Sequence, residues 1–237
     1  MFIHRGRART ESHNLGIASL LGFVAGLVNV TGFLAVKKLT TNVTGHFAFF
    51  VDEAFQQNLS QAFHTGLYIF FFFAGAFFSS MLVEFYTRRR ENVIYVVPAL
   101  TEAVILGIIA LTGTQLMREN PDFIAYALLF AMGLQNALVT RISNAVVRTT
   151  HLTGLFTDMG IEFAQLFFYK GKLRRLKLWK SIRLRLTIIW MFFAGGVCGG
   201  LLYGSLGIKT LLLGSFLLLA GLLLDFIKIR LLLNTLR

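Results

Sequence analysis

Uncharged, mostly apolar residues run for long stretches in this chain, and short polar or charged interruptions end them. Residues 15–36, 66–83, 123–140 and 186–208 contain no Asp, Glu, Lys or Arg. Residues 93–116 contain only Glu102, and residues 210–224 run up to Asp225. A hydrocarbon layer of about 30 Å takes about 20 residues of helix to cross. The pattern therefore predicts six membrane-spanning helices.

Two interruptions are unlike the others. After the first run come Lys37, Lys38, Leu39, Thr40, Thr41, Asn42, Val43, Thr44, Gly45 and His46, then an apolar stretch, 47–55, that is too short to span and contains Asp52 and Glu53. After the fourth come Arg148, Thr149, Thr150, His151, Leu152, Thr153 and Gly154, then residues 155–168 with Asp158 and Glu162 inside them. Each reads as a broken or re-entrant helix, or else as a helix lying at the membrane surface. Asn42 or Thr44 in the first, and Thr150 or Thr153 in the second, has the short oxygen-bearing side chain that caps a helix start.

The two halves of the chain repeat one another. Phe23, Gly26, Leu27 and Asn29 recur 107 residues later as Phe130, Gly133, Leu134 and Asn136. Thr40, Thr41, Thr44, Gly45, Phe47, Glu53 and Gln56 recur 109 residues later as Thr149, Thr150, Thr153, Gly154, Phe156, Glu162 and Gln165. The run from Phe72 to Gly75 recurs 120 residues later from Phe192 to Gly195. Three matches in the same order indicate a duplication, with repeat 1 at about 15–116 and repeat 2 at about 122–230 of a single membrane domain, 1–237. Transport is the function that such a duplication most suggests.

Composition agrees with the class. Of 237 residues 56% are hydrophobic, with 25 Phe and only 2 Pro, and the mean hydropathy is +0.69. One soluble core of this size has no room for so much apolar surface. The basic start at Arg5, Arg7 and Arg9 leads into a run too long for a cleavable signal, so the first span is expected to stay. The single cysteine, Cys198, gives no disulfide framework.

The net charge of +12 looks at first like a nucleic-acid signal, but its distribution points to topology. With six spans, 19 of the 23 Lys and Arg residues fall on one side. Only Lys37, Lys38, Arg118 and Lys209 fall on the other. That is the positive-inside bias with both termini cytoplasmic, in a cell inner (plasma) membrane, and no nucleic-acid partner is implied. Three spans per repeat is an odd number, so the repeats enter the membrane from opposite sides and are inverted.

The candidate site residues lie at the polar breaks and beside them. Asn29 and Asn136 each follow a glycine by three residues, on about the same helix face. Each suits solute contact, or an interhelical hydrogen bond worth about 1 kcal/mol. Thr44, Gly45, Thr153 and Gly154 belong to the helix starts, whose free N–H groups favour an anion or a carbonyl-bearing solute. Glu102 lies mid-span, where a charge is costly, and serves either proton coupling or packing. Glu53 and Glu162 gain weight because the repeat preserves them. His46 and His151 are not at matched positions and lack metal-ligand spacing, so no metal is expected. No cofactor or enzyme motif is present, which gives no catalytic residues.

Small residues four apart, such as Gly22 and Gly26, Gly75 and Ser79, Gly195 and Gly199, and Gly200 and Gly204, read as packing seams within the chain or in a homodimer. Residues 170–185, from Lys170 to Arg185, hold eight basic side chains and an imperfect stripe formed by Leu173, Leu176, Trp179 and Ile182. They predict a surface helix drawn to anionic lipid, inserted in the second repeat where the offset grows from 109 to 120.

The run Gly26, Leu27, Val28, Asn29 with Gly32, Phe33 and Leu34, followed by Thr44, Gly45 and His46 before a short helix, resembles the YoaK-type family of bacterial membrane proteins, whose function is unknown. The resemblance covers nearly the whole chain. The family pattern has Asp where this chain has Asn29, and Asn where it has His46. An acid at the first position is thus not on hand here to carry protons. The reading is an all-α membrane protein, a secondary transporter or channel for a small solute, or alternatively a non-transporting subunit or scaffold that binds a protein partner.

Overall fold

The computed structural model describes residues 10–89, 94–143 and 145–235. Arg5, Arg7, Arg9, Arg90 and Arg237 of the charge count, and Val93 at the start of the third expected span, lie outside the described residues. Among the described residues every regular element is helical. In chain order these are α1 (Glu11–Val36), α2 (Val43–Phe55), α3 (Leu59–Arg88), α4 (Val96–Glu119), α5 (Pro121–Ser143), α6 (Leu152–Phe168), α7 (Lys172–Leu206), a 3-10 turn (Gly207–Thr210) and α8 (Leu211–Thr235). By length and composition, five stretches suffice to cross a membrane: α1, α3, α4, α5 and Lys172–Lys228. The protein is all-α, with the build of a multi-pass membrane protein.

The long stretch Lys172–Lys228 is folded, not straight. Gly207 ends α7 with φ at 57° and ψ at −139°, a backbone conformation that is cheap only for glycine. The chain then returns as α8, where Ser215 donates to the Ala103 carbonyl of α4 at 2.7 Å.

α1 and α5 are the central helices, and of these five stretches α3 is the least buried. Along α3, Phe63, Phe70, Phe73, Phe77 and Phe85 are exposed on one face, while Ala62, Thr65, Tyr68, Gly75, Ser79 and Val83 are buried on another. The spacing of each set is helical. In water such a phenylalanine face would be a liability, whereas in lipid it is the ordinary outer surface.

Two pairings hold the bundle together, and they are built alike. A Cβ on Gly26 of α1 would collide with the Phe192 carbonyl of α7, and a Cβ on Gly195 of α7 would collide with the Phe23 carbonyl of α1. In the same way Gly133 of α5 rests on the Phe72 carbonyl of α3, and Gly75 of α3 on the Phe130 carbonyl of α5. All eight residues belong to matched positions of the duplication. Backbones approach this closely only where the side chain is a hydrogen.

The contacts also fix direction. Gly22 faces Ile188 and Met191, and further along Gly199 faces Leu27 and Thr31, so α1 and α7 run parallel. Tyr68 bonds Asp122 and Glu84 bonds Arg141, so α3 and α5 run parallel. Gln135 reaches the Leu21 carbonyl while Gly32 lies beside Leu128, so α1 and α5 are antiparallel. The glycine seams are therefore used inside the chain, although Gly204 has no neighbour within 4 Å.

The basic segment 170–185 is not a separate surface helix. From Lys172 it forms the first turns of α7, because no Gly or Pro occurs before Gly195 to break the helix. At about 1.5 Å per residue the 35 residues of α7 reach about 52 Å, well beyond a hydrocarbon core of about 30 Å. Lys180 in this extension pairs with Glu11 at the start of α1 at 2.9 Å. The duplication's extra residues are distributed, since α6 has 17 residues against 13 in α2, and α7 has 35 against 30 in α3.

Candidate functional site

Two short helices begin where the two central ones end. α1 stops at Lys37, which takes a left-handed conformation with φ at 56°, and a short linker leads to α2. That linker is held at three points. Thr41 Oγ1 donates to Asn29 Oδ1 at 2.9 Å, a ring nitrogen of buried His46 bonds the Leu39 carbonyl at 2.7 Å, and Asn42 Oδ1 accepts the Gly45 N–H at 2.9 Å as the cap of α2. The cap supplies an acceptor for one of the N–H groups that a helix start leaves free.

The second linker is built differently on the same plan. Ser143 closes the end of α5 by accepting the Val147 N–H at 2.9 Å. Gln135 Nε2 donates both to Thr149 Oγ1 at 3.1 Å and to the Leu21 carbonyl of α1 at 3.0 Å, fully buried. At the cap of α6, His151 stands where α2 has Asn42, and it makes no capping bond. Its imidazole lies over Gly154, where any Cβ would collide with it.

The helix starts, Asn29 and Asn136 enclose one cleft of about 830 Å³. That is within the size range of small-molecule sites. Its lining falls mostly into matched pairs of the duplication: Asn29 with Asn136, Thr41 with Thr150, Asn42 with His151, Val43 with Leu152, Thr44 with Thr153, and Phe72 with Phe192. Gly45 lines it too. Gly154 is absent from the lining, because His151 covers it.

The cleft lies between the ends of the bundle. α2 ends at the start of α3, and α6 ends at the start of α7. Since α3 runs with α5, α7 with α1, and α1 against α5, those two starts are at opposite ends. The two short helices thus leave one cleft in opposite directions. At roughly 20 and 26 Å, neither is long enough to span by itself.

The three acids lie elsewhere. Thr65 Oγ1 of α3 donates to Glu53 Oε2 at 2.6 Å, and Arg185 of α7 pairs with Glu162 at 3.4 Å and with Asp158 at 3.0 Å. Glu53 and Glu162 therefore each fasten a short helix to the long one that follows. Glu102 is fully buried in α4, outside the cleft lining, and neither carboxyl oxygen has a hydrogen-bond partner among the described residues. No group of three or more His, Cys, Asp or Glu that could hold a metal occurs among the described residues.

His46 meets polar residues that the sequence does not single out. Tyr68 donates to Asp122, His64 bonds the Tyr126 hydroxyl at 2.6 Å, and His46 packs on the Tyr68 ring at 5.2 Å. This network ties the outer turns of α3 and α5. The two hydrogen bonds join residues 54 and 62 apart in sequence, with no repeat counterpart to flag them. His151, weighed in the sequence only as a metal ligand, stands opposite Asn42 in the duplication and lines the cleft.

A family model described as "Protein of unknown function (DUF1275)" matches residues 17–224, and the chain belongs to that family. The membership agrees with the resemblance to YoaK-type membrane proteins. No curated protein and no solved structure matches the chain.

Proposed function

We propose that this DUF1275 protein is a secondary transporter or channel for a small solute, with the cleft between α2 and α6 as its solute site. One observation carries the reading: matched residues from the two halves of the duplication line the same cleft in pairs. Inverted-repeat transporters place the solute at the repeat interface near mid-membrane, among broken helices. Non-helical backbone at that depth requires a polar cavity or surrounding protein, and both linkers have one.

On this reading the six long helices form two inverted three-helix repeats, and α2 and α6 are re-entrant. The antiparallel setting of α1 and α5 and the reciprocal glycine crossings support it. The charge split puts both termini and the basic start of α7 on the cytoplasmic face of the inner membrane. The extension of α7, with exposed Leu173, Leu176 and Trp179 among its lysines and arginines, suits anionic lipid headgroups.

The test is uptake and efflux by the purified protein in liposomes, across metabolite classes. Flux of at least one class above protein-free vesicles is the expected result. If none of a broad panel moves and a stoichiometric protein partner co-purifies instead, transport is abandoned for the scaffold reading.

A further inference from the structure

The cleft has a neighbour that gives it a charge preference. A second cavity, of about 420 Å³, adjoins it and shares two lining residues, Asn136 and His151. The rest of its wall includes Thr140, Arg141 and Arg148. Neither cavity has an Asp or Glu in its lining. The two linings together thus carry cationic side chains and no carboxylate.

The two arginines are not equivalent. Arg141 is engaged by Glu84 of α3. Arg148 is exposed and has no ion pair among the described residues. Its matched position in the first repeat is Leu39, on the wall of the main cleft. At this matched position, then, one repeat carries a charge and the other a leucine. Beyond Arg148 the lining holds groups able to donate, namely threonine hydroxyls, the amides of Asn29, Asn42 and Asn136, and the uncapped first turn of α6. A guanidinium followed by hydroxyl and amide donors is the complement of an oxyanion.

We propose that the solute is a small oxyanion, a carboxylate or an inorganic phosphate or sulfate, admitted past Arg148 and held between Asn29 and Asn136. The proposal rests on the cleft being the solute site, and binding is measured separately from flux so that the two can fail independently. Purified full-length protein in uncharged detergent is titrated calorimetrically with lactate, phosphate and sulfate, and with lactamide and choline as neutral and cationic controls. At least one anion is expected to bind, lactamide and choline to bind far more weakly, and Arg148→Gln to weaken the anion by about ten- to a hundredfold. Arg148→Lys should recover part of that loss, which guards against a folding artefact.

Which anion binds separates an organic from an inorganic solute. Failure of every anion to bind, lactamide binding as well as lactate, or an Arg148→Gln affinity equal to wild type overturns the proposal. Anion binding without flux of any solute would leave it standing and overturn transport. Flux of a neutral solute without anion binding would do the reverse.

Discussion

Gly26 of α1 lies so close to the Phe192 carbonyl of α7 that no side chain fits between them. The matched pair, Gly133 of α5 and Phe72 of α3, has the same relation. Two crossings built from the same residues in each half hold the long helices that flank the cleft, so the cleft's width depends on four glycines. In lipid there is no water to drive helices together, and close backbone packing takes a larger share of that role.

Gly26→Ala and Gly133→Ala should each destabilise the protein by about 1–3 kcal/mol, because the new methyl meets a backbone carbonyl that cannot swing aside. Gly204→Ala, with nothing within 4 Å of its added methyl, should be close to neutral. Thermal melts in one detergent check this. Equal melting of all three variants would mean that the crossings do not limit stability.

Asn29→Leu and Asn136→Leu should each abolish solute flux while leaving the melting temperature within a few degrees of wild type. Both amides face the cleft, and Asn29 also accepts from Thr41. If flux were normal in both, the asparagines would be interhelical ties, worth on the order of 1 kcal/mol.

The opposed directions of α2 and α6 predict a labelling pattern. In a Cys198→Ser background, Leu59→Cys, at the start of α3, should react with an impermeant maleimide from one side of the membrane only. Lys172→Cys, at the start of α7, should react only from the other. Reaction of both from the same side would remove the inverted arrangement.

Arg185 is the only described partner of Glu162, and it also holds Asp158. Arg185→Ala should cost more stability than Glu162→Gln, because it leaves two acids without their cation. The double variant should fall short of the sum of the two, as expected for residues in contact. Additive losses in the melting curves would show that the pair does not fasten α6 to α7.

Much of this protein could be read from its sequence. The apolar runs gave the long helices, since the length and hydropathy a bilayer requires are local properties. The duplication and the polar breaks pointed to Asn29, Asn136, Thr44, Gly45 and Thr153, all of which the structure brings to one cleft. They were legible because each repeat carries its own copy of the pattern, so the comparison needs no knowledge of the fold.

The remainder depends on partners that only folding supplies. Gln135 stands opposite Val28 in the duplication and so carried little signal, yet it joins α5 to α1 through a carbonyl 114 residues away. Glu53 and Glu162 are candidates for coupling or polar lining in the sequence, and only the fold shows their partners, Thr65 and Arg185. Glu102 sits in α4, away from the cleft, and Gly154 is covered by a histidine that replaces the first repeat's asparagine. The basic segment lost its independence because α7 starts within it, at Lys172, and no Gly or Pro breaks the helix before Gly195. Sequence by itself determined which residues are apolar, which recur and where the helices break, all of which are set along the chain. Tertiary structure decided which side chains meet, because a hydrogen bond or a steric contact depends on ångström distances between helices that are remote in sequence.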